Sequence, residues 1–158
     1  MEREIRRKDR VWKKEEAVRL LEDGEYGFLA MEGTDGYGYG LPISFVKEGD
    51  HLYFHCAPEG YKLDCLRRNP KVSFCVVGQT RIIPRQFTTA YESVLAFGRM
   101  QVELSEEERR HALRLLTEKY APAYREIGEK YIEASFHRTH ILRLNMETIT
   151  GKCKRIGG

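Results

Sequence analysis

Residues 54–70 read FHCAPEGYKLDCLRRNP: an apolar strand-like run meets Ala57-Pro58-Glu59-Gly60 and continues as a helical pattern with Lys62 in its opening turns. A helix start leaves backbone N–H groups without intrahelical partners and carries partial positive charge. That combination is a ready site for an anion. Pro58 suits the first helical position, where its missing N–H costs nothing. Gly60 lets a ligand come close to the backbone, and Lys62 adds a full charge. The chemistry on offer is phosphate binding. A solvated helix lysine satisfies the same letters, and Glu59 repels a phosphate unless it points away. No phosphate loop of the G-x-x-x-x-G-K-[ST] or G-x-G-x-x-G kind occurs.

Other reactive residue types are scattered. Cys56, Cys65, Cys75 and Cys153 form no C-x-x-C pair, and no His/Cys group has zinc spacing, so no metal site is expected. Cys75 sits in an apolar run and reads as a small core residue. Phe45, Tyr53, Phe54, Phe74 and Phe97 lie on strand-like segments near the bend. Each reads as core, yet a planar ligand needs such apolar walls together with a few fixed polar groups. Ser44, His55 and Ser93 are placed to supply them. No side chain is marked as a catalytic acid, base or nucleophile.

The elements that must hold these groups follow from periodicity. KKEEAVRLLEDG predicts a helix with Ala17, Val18, Leu20 and Leu21 on one stripe and Gly24 at its stop. EYGFLAME predicts a strand, and Asp35-Gly36 a hairpin turn. YGLPISFVKEGDHLYFHC predicts two strands joined by EGD, with Pro42 demanding an edge or an irregularity. NPKVSFCVVG predicts a strand with Val72, Phe74 and Val76 on one face. QTRIIPRQFTTAYE reads as a long connection or a broken strand. SVLAFGRMQVEL is the longest strand signal, with Val94, Ala96, Gly98, Met100, Val102 and Leu104 sharing a face. Ser105 and Glu108 are spaced as a capping box before a helix with Ala112, Leu113, Leu116 and Tyr120. A second helix carries Tyr124, Ile127, Tyr131 and Ile132, and THILRLNMETITGK closes the chain as a strand. Strands and helices do not alternate, which argues for an antiparallel barrel or sandwich and against a doubly wound parallel sheet.

A chain of 158 residues predicts a single domain, spanning 1–158, able to bury a core without staples. The net charge of +3 is too small to argue for nucleic acid, and its clusters, Arg3 to Lys14 and Lys152 to Arg155, read as solvated chain ends. No run approaches a membrane span, and the N-terminal charges precede no apolar leader segment, so a cytoplasmic location is expected.

YGYGLPISFV, LYFHCAPEGYKLDCLRRNPKVSFCVVG and FTTAYESVLAFGRMQVEL resemble the flavin-binding split-barrel proteins of the pyridoxamine 5′-phosphate oxidase-like superfamily. The nearest branch is the Nim type, linked with 5-nitroimidazole resistance; MEREIRRKDR and ALRLLTEKYAP resemble it too. The resemblance implies a mainly β fold with helices, a six-stranded antiparallel FMN-binding split barrel with peripheral helices, acting as a homodimer with the cofactor site at the subunit interface. It implies that Pro42, Ile43, Ser44 and Phe45 run along the flavin ring. His55, Cys56 and Ala57 would lie against the ring and ribityl chain, and Gly60, Tyr61 and Lys62 would take the phosphate. Tyr91 and Ser93 would stand near the pyrimidine edge. In that branch a histidine stands where this chain has Tyr61, and a tyrosine is no base near neutral pH. The C-terminal Trp and Arg pattern of true pyridoxamine phosphate oxidases is missing, the only Trp being Trp12. The implied function is an FMN-dependent reductase passing electrons, with NAD(P)H as donor, to a small planar acceptor such as a nitroaromatic. The rivals are a non-catalytic flavin-binding or redox-sensing protein, a heme-binding split barrel drawing on the scattered His51, His55, His111, His137 and His140, and a nucleic-acid module.

Overall fold

The apolar periodicities become strands and helices that wrap one antiparallel sheet. The computed structural model describes residues 4–156, so Arg3 of the basic N-terminal run lies outside the described residues. In chain order the elements are α1 (Lys14–Asp23), β1 (Tyr26–Glu32), β2 (Gly38–Ser44), β3 (Val46–Glu48), β4 (His51–Cys56), α2 (Tyr61–Arg68), β5 (Lys71–Ile83), β6 (Thr88–Gln101), α3 (Glu106–Tyr120), α4 (Arg125–Ser135) and β7 (His140–Lys154). The strands are ordered β2-β1-β5-β6-β7-β4-β3, and every pairing is antiparallel.

The two edge strands, β2 and β3, are neighbours in sequence, separated by Phe45 alone. Six strands were expected and seven are found because the run 38–48 breaks at this residue. Its first half pairs with β1 and its second with β4. One residue therefore ties opposite edges of the sheet together and curls it into a barrel with a single seam, where β2 lies against β4 without a ladder. Pro42 sits on β2, whose only ladder partner is β1, as its missing donor requires.

The barrel interior is filled by Leu29, Leu52, Phe54, Phe74, Val76, Val94, Ala96, Leu142 and Leu144. The Phe74 ring meets Phe45 and Phe54 edge-on, at centroid distances of 4.9 and 5.1 Å. Helix α1 adds Ala17 and Leu21 to this core. Gly24 does end α1, though through close packing and not a left-handed cap: its φ is −61°, and a Cβ there would stand 2.7 Å from Val76 Cγ1. A second, smaller core lies under α3, where Val46, Tyr53 and Ile141 pack on Ala112 and Leu116. Ser105 accepts from the Glu108 N–H at 3.2 Å. The Glu108 carboxylate turns away from the box to Tyr53 (3.0 Å) and Arg143 (2.5 Å), which fastens α3 to β4 and β7.

Several expectations need correction. Of the two readings of QTRIIPRQFTTAYE the broken strand holds and the long connection does not: β5 continues across an irregularity at Val77/Thr80 and, after a turn at Pro84–Gln86, pairs as a long hairpin with β6. Strand β6 ends at Gln101, short of Val102 and Leu104. Cys75 points to the outer face and is only half-buried, whereas Cys65 is the thiol in the core. Tyr124, Ile127 and Tyr131 are exposed, leaving Ile132 as the buried apolar residue of that set. Pro58 does not start α2; the helix begins at Tyr61 with Gly60 as its N-cap.

Candidate functional site

The bend after β4 delivers α2 to the end of the barrel seam. Gly60 caps the helix with φ 133°, a conformation open to glycine and strained for other residues. A Cβ built there meets nothing within 4 Å, so the cap faces open space. Its carbonyl accepts from Leu63 and Asp64, which leaves the first N–H groups of α2, those of Tyr61 and Lys62, directed outward. Lys62 is half-buried, and no hydrogen bond or ion pair engages its ammonium among the described residues. It lies close enough to act electrostatically on both His55 and Cys56. His55 is exposed at the surface, and the partial enclosure of its ring by neighbouring atoms, then the Lys62 charge, lower its imidazole from the ordinary value. Burial pushes the Cys56 thiol up against the opposing pull of Lys62. Cys56 is therefore a protonated packing residue and not a nucleophile.

Tyr61, the departure from the resembling branch, points away from this opening. Its hydroxyl accepts from Thr34 N–H at 3.0 Å and donates to Asp35 Oδ1 at 3.0 Å, and its ring meets Tyr39 edge-on at 5.0 Å. Arg68 adds a 2.5 Å hydrogen bond to the Thr34 carbonyl. The side chain thus clasps the β1–β2 turn onto α2 and leaves the backbone N–H to face the opening.

The seam brings two of the expected groups together. Val46 pairs with Tyr53 in β3–β4. Beyond the break, β2 lies against the end of β4, so the Pro42–Ser44 stretch and His55–Cys56 share the seam. The alternation of strands then sorts them. Leu52 and Phe54 face the barrel interior while Tyr53 faces α3, so His55 is on the outside and Cys56 packs inward. Ile43 also packs against the interior, and Pro42 and Ser44 face out. Phe45 buries its ring in the core, and its N–H and C=O are engaged by Tyr120 and Lys119.

Tyr91 and Ser93 lie on β6, three strands from β2; the step from Leu95 to Ser93 matches that from Pro42 to Ser44, which sets Ser93 level with Ser44, about 14 Å away across β1 and β5. They do share the outer face of the sheet with Pro42 and Ser44. Across that face Pro42 pairs with Phe28, Phe28 with Cys75 and Cys75 with Leu95. The face is apolar and unroofed: Phe28 is 49% and Val77 60% exposed. A cavity of about 640 Å³ opens beside Tyr91, lined also by Arg81, Glu92, Lys154 and Arg155.

Two residues with evident work at the seam were missed by the sequence reading. Lys119 donates to the carbonyls of Gly24 (2.7 Å) and Phe45 (2.8 Å), and the Tyr120 hydroxyl accepts from Phe45 N–H at 3.0 Å. Helical spacing places Tyr120 on the α3 segment and says nothing of its partner. The lysine-tyrosine pair at the end of a helix carries no signal of a partner seventy-four residues away.

The profile of the pyridoxamine 5′-phosphate oxidase family matches residues 13–153. No curated protein matches the chain. Among solved structures, a candidate 5-nitroimidazole antibiotic resistance protein from Bacteroides thetaiotaomicron superposes with a TM-score of 0.72 at 22% identity, covering 90% of this chain and 85% of the other. An FAD-binding protein from Mesorhizobium loti gives 0.68 at 21% identity, covering 92% and 98%. An FAD and heme binding protein from Mycobacterium smegmatis gives 0.75 at 20% identity, covering 91% and 72%. At these identities the structures establish a shared fold, and the family profile spans both the seam and the hairpin. The profile match over residues 13–153 places this chain, a seven-stranded split barrel broken at Phe45 and flanked by the Gly60–Lys62 helix start, in the pyridoxamine 5′-phosphate oxidase family.

Proposed function

We propose that two copies of the chain bind flavin mononucleotide in grooves between them and act as a flavin-dependent reductase on a small planar acceptor such as a nitroaromatic. The observation that carries this reading is the open Gly60 cap beside the unpaired Lys62 at the end of a seam lined by the Pro42–Phe45 backbone. A phosphate at the cap would meet the Tyr61 and Lys62 N–H groups and the Lys62 ammonium. The ribityl chain would then pass His55 and Ala57, and the ring would lie along β2. The residues fit such a ligand. The bound flavin supplies the redox chemistry, taking electrons from NADH or NADPH and giving them to the acceptor. The protein's part is to orient the ring and exclude water. Neutral His55 offers a hydrogen bond, not a charge.

The dimer completes the site in this reading. The apolar row Pro42–Phe28–Cys75–Leu95 needs a cover, and Tyr91 and Ser93 lie beyond β1 and β5 from the seam. A second copy laid on that face would bring its Tyr91 and Ser93 to the first copy's groove. The resistance-protein neighbour supports the nitroaromatic acceptor, and the FAD-binding neighbours support a flavin of either length. Family membership does not by itself argue for pyridoxamine phosphate oxidation.

The test is the absorbance spectrum of the purified protein, followed by chromatography of the released cofactor and sedimentation of the holoprotein. Flavin bands, FMN on release and a dimer are expected. With the flavin in place, NADH or NADPH should bleach it, and a nitroimidazole should restore its colour. A Soret band would replace the reading with heme, and a colourless monomer that takes up no added FMN would end it.

A further inference from the structure

The corner at Phe45 is where the β1–β2 ladder stops. Tyr26 pairs with Ser44, so the next step of that register would set Phe45 opposite Glu25, with its N–H and C=O facing β1, because Gly33 N–H bonds to Tyr37 C=O in the same register and bonded pairs alternate along an antiparallel ladder. The Phe45 N–H and C=O are instead taken by the last two residues of α3. The Tyr120 hydroxyl accepts from the N–H at 3.0 Å, and Lys119 donates to the C=O at 2.8 Å. The same two side chains hold the neighbouring loop: Lys119 donates to Gly24 C=O at 2.7 Å and Tyr120 to Glu25 C=O at 2.5 Å. The Lys119 ammonium also sits 3.8 Å from the centre of the Phe45 ring. A half-buried lysine that ties together two carbonyls from separate segments is a fixed strut, since each carbonyl left without it is an unmet acceptor in a packed corner.

We infer that Lys119 and Tyr120 are positioning residues that end the β1–β2 ladder at Phe45, turn the chain from β1 toward β4 at the seam, and so hold the Pro42–Phe45 backbone in the line a flavin ring needs. This rests on the flavin reading above. It goes beyond it by assigning the groove's shape to a helix end that touches no part of the ligand. Because the pair acts on the ring segment and not on the phosphate cap, its loss weakens FMN and riboflavin alike.

The experiment compares the full chain with Lys119→Met, Tyr120→Phe, Lys119→Arg and Arg143→Met. Arg143 tethers the same helix through Glu108 at its other end, so it reports the effect of loosening α3 without touching the corner. Dissociation constants for FMN and riboflavin are measured by quenching of flavin fluorescence, with folding checked by circular dichroism at the same temperature. Amide hydrogen exchange is followed at Ile43–Val46 in the flavin-free proteins. Lys119→Met and Tyr120→Phe are expected to weaken both ligands equally, by about tenfold for the loss of one or two hydrogen bonds, and to speed exchange at Phe45. Lys119→Arg should recover most of the affinity, and Arg143→Met should keep it. Unchanged affinity in folded Lys119→Met and Tyr120→Phe, or an equal loss in Arg143→Met, overturns the inference. Should the unaltered protein take up neither flavin, the cofactor reading fails. Exchange at Phe45 then decides the seam argument alone: faster in Lys119→Met it stands, unchanged it falls.

Discussion

Replacing Lys62 by Ala is the sharpest perturbation of the proposed phosphate cap. Lys62 is half-buried as a residue, its ammonium is unpaired among the described residues, and it stands next to a glycine cap with open space in front of it. A hydrogen bond to a charged group contributes about 1.5–3 kcal/mol, and each 1.4 kcal/mol is a factor of about ten in Kd. Two backbone donors of α2 remain in the variant, and water reaches the lysine. The lower half of that range therefore applies, and the FMN dissociation constant should rise about 10- to 50-fold. Riboflavin has the same ring and no phosphate, so its affinity should hold within about twofold. Lys62→Arg keeps the charge and should lie between the variant and the original for FMN. Fluorescence titration of both ligands at low and moderate salt reads all of this, and the FMN loss should shrink as salt screens the charge. An FMN constant unchanged in Lys62→Ala, or a riboflavin loss as large as the FMN loss, would refute the assignment of the phosphate to this helix start.

Other expectations concern the groups around the cap and seam. Tyr61→Phe removes the hydroxyl that clasps Thr34 and Asp35; it should cost about 1 kcal/mol of stability by urea denaturation and loosen amide exchange at 33–37, with FMN affinity changed less than about threefold. His55 has its folded-state pKa lowered, so the unfolded chain binds its proton first as pH falls and stability drops below the ordinary histidine range. In His55→Gln the decline between about pH 7 and 5 should be shallower, which pH-dependent urea curves measure. Lys119 is lowered to about 8, chiefly by burial. Its charged form therefore opposes folding at neutral pH, and the opposition is relieved as pH rises from about 8 toward the unfolded lysine value. The stability of the unaltered protein relative to Lys119→Met should increase by about 1–2 kcal/mol between pH 7.5 and 10, after allowance for solvent screening; a flat or falling difference would contradict the burial of that charge.

Much of this molecule is local and was readable in order along the chain. The Val72, Phe74, Val76 and Val94–Met100 alternations are buried on one face because a strand's side chains repeat every two residues. The strand-bend-helix around Gly60 and Lys62 was legible because turn and helix-start residues act through their own backbone, even though the helix begins three residues after Pro58. Where local pattern was weak, tertiary pairing decided. QTRIIPRQFTTAYE extends as a hairpin because β5 and β6 hold each other across its interrupted periodicity. The stripe of Tyr124, Ile127 and Tyr131 has helical spacing yet faces outward, since spacing fixes a common face and says nothing about which face is covered.

The sequence by itself determined the family, the order of the elements and the cap with its lysine, all of which depend on residues within a few positions of one another. Tertiary structure alone decided that one strand is two. At Phe45 the backbone's hydrogen bonds go to Lys119 and Tyr120, residues separated from it by most of the fold. It also decided that Tyr61 turns its hydroxyl to the β1–β2 turn and that Tyr91 and Ser93 lie beyond β1 and β5 from the seam. The physical reason is common to all three. A backbone or hydroxyl group must find some hydrogen-bond partner when it leaves water, and which partner it finds is set by the way the chain closes on itself.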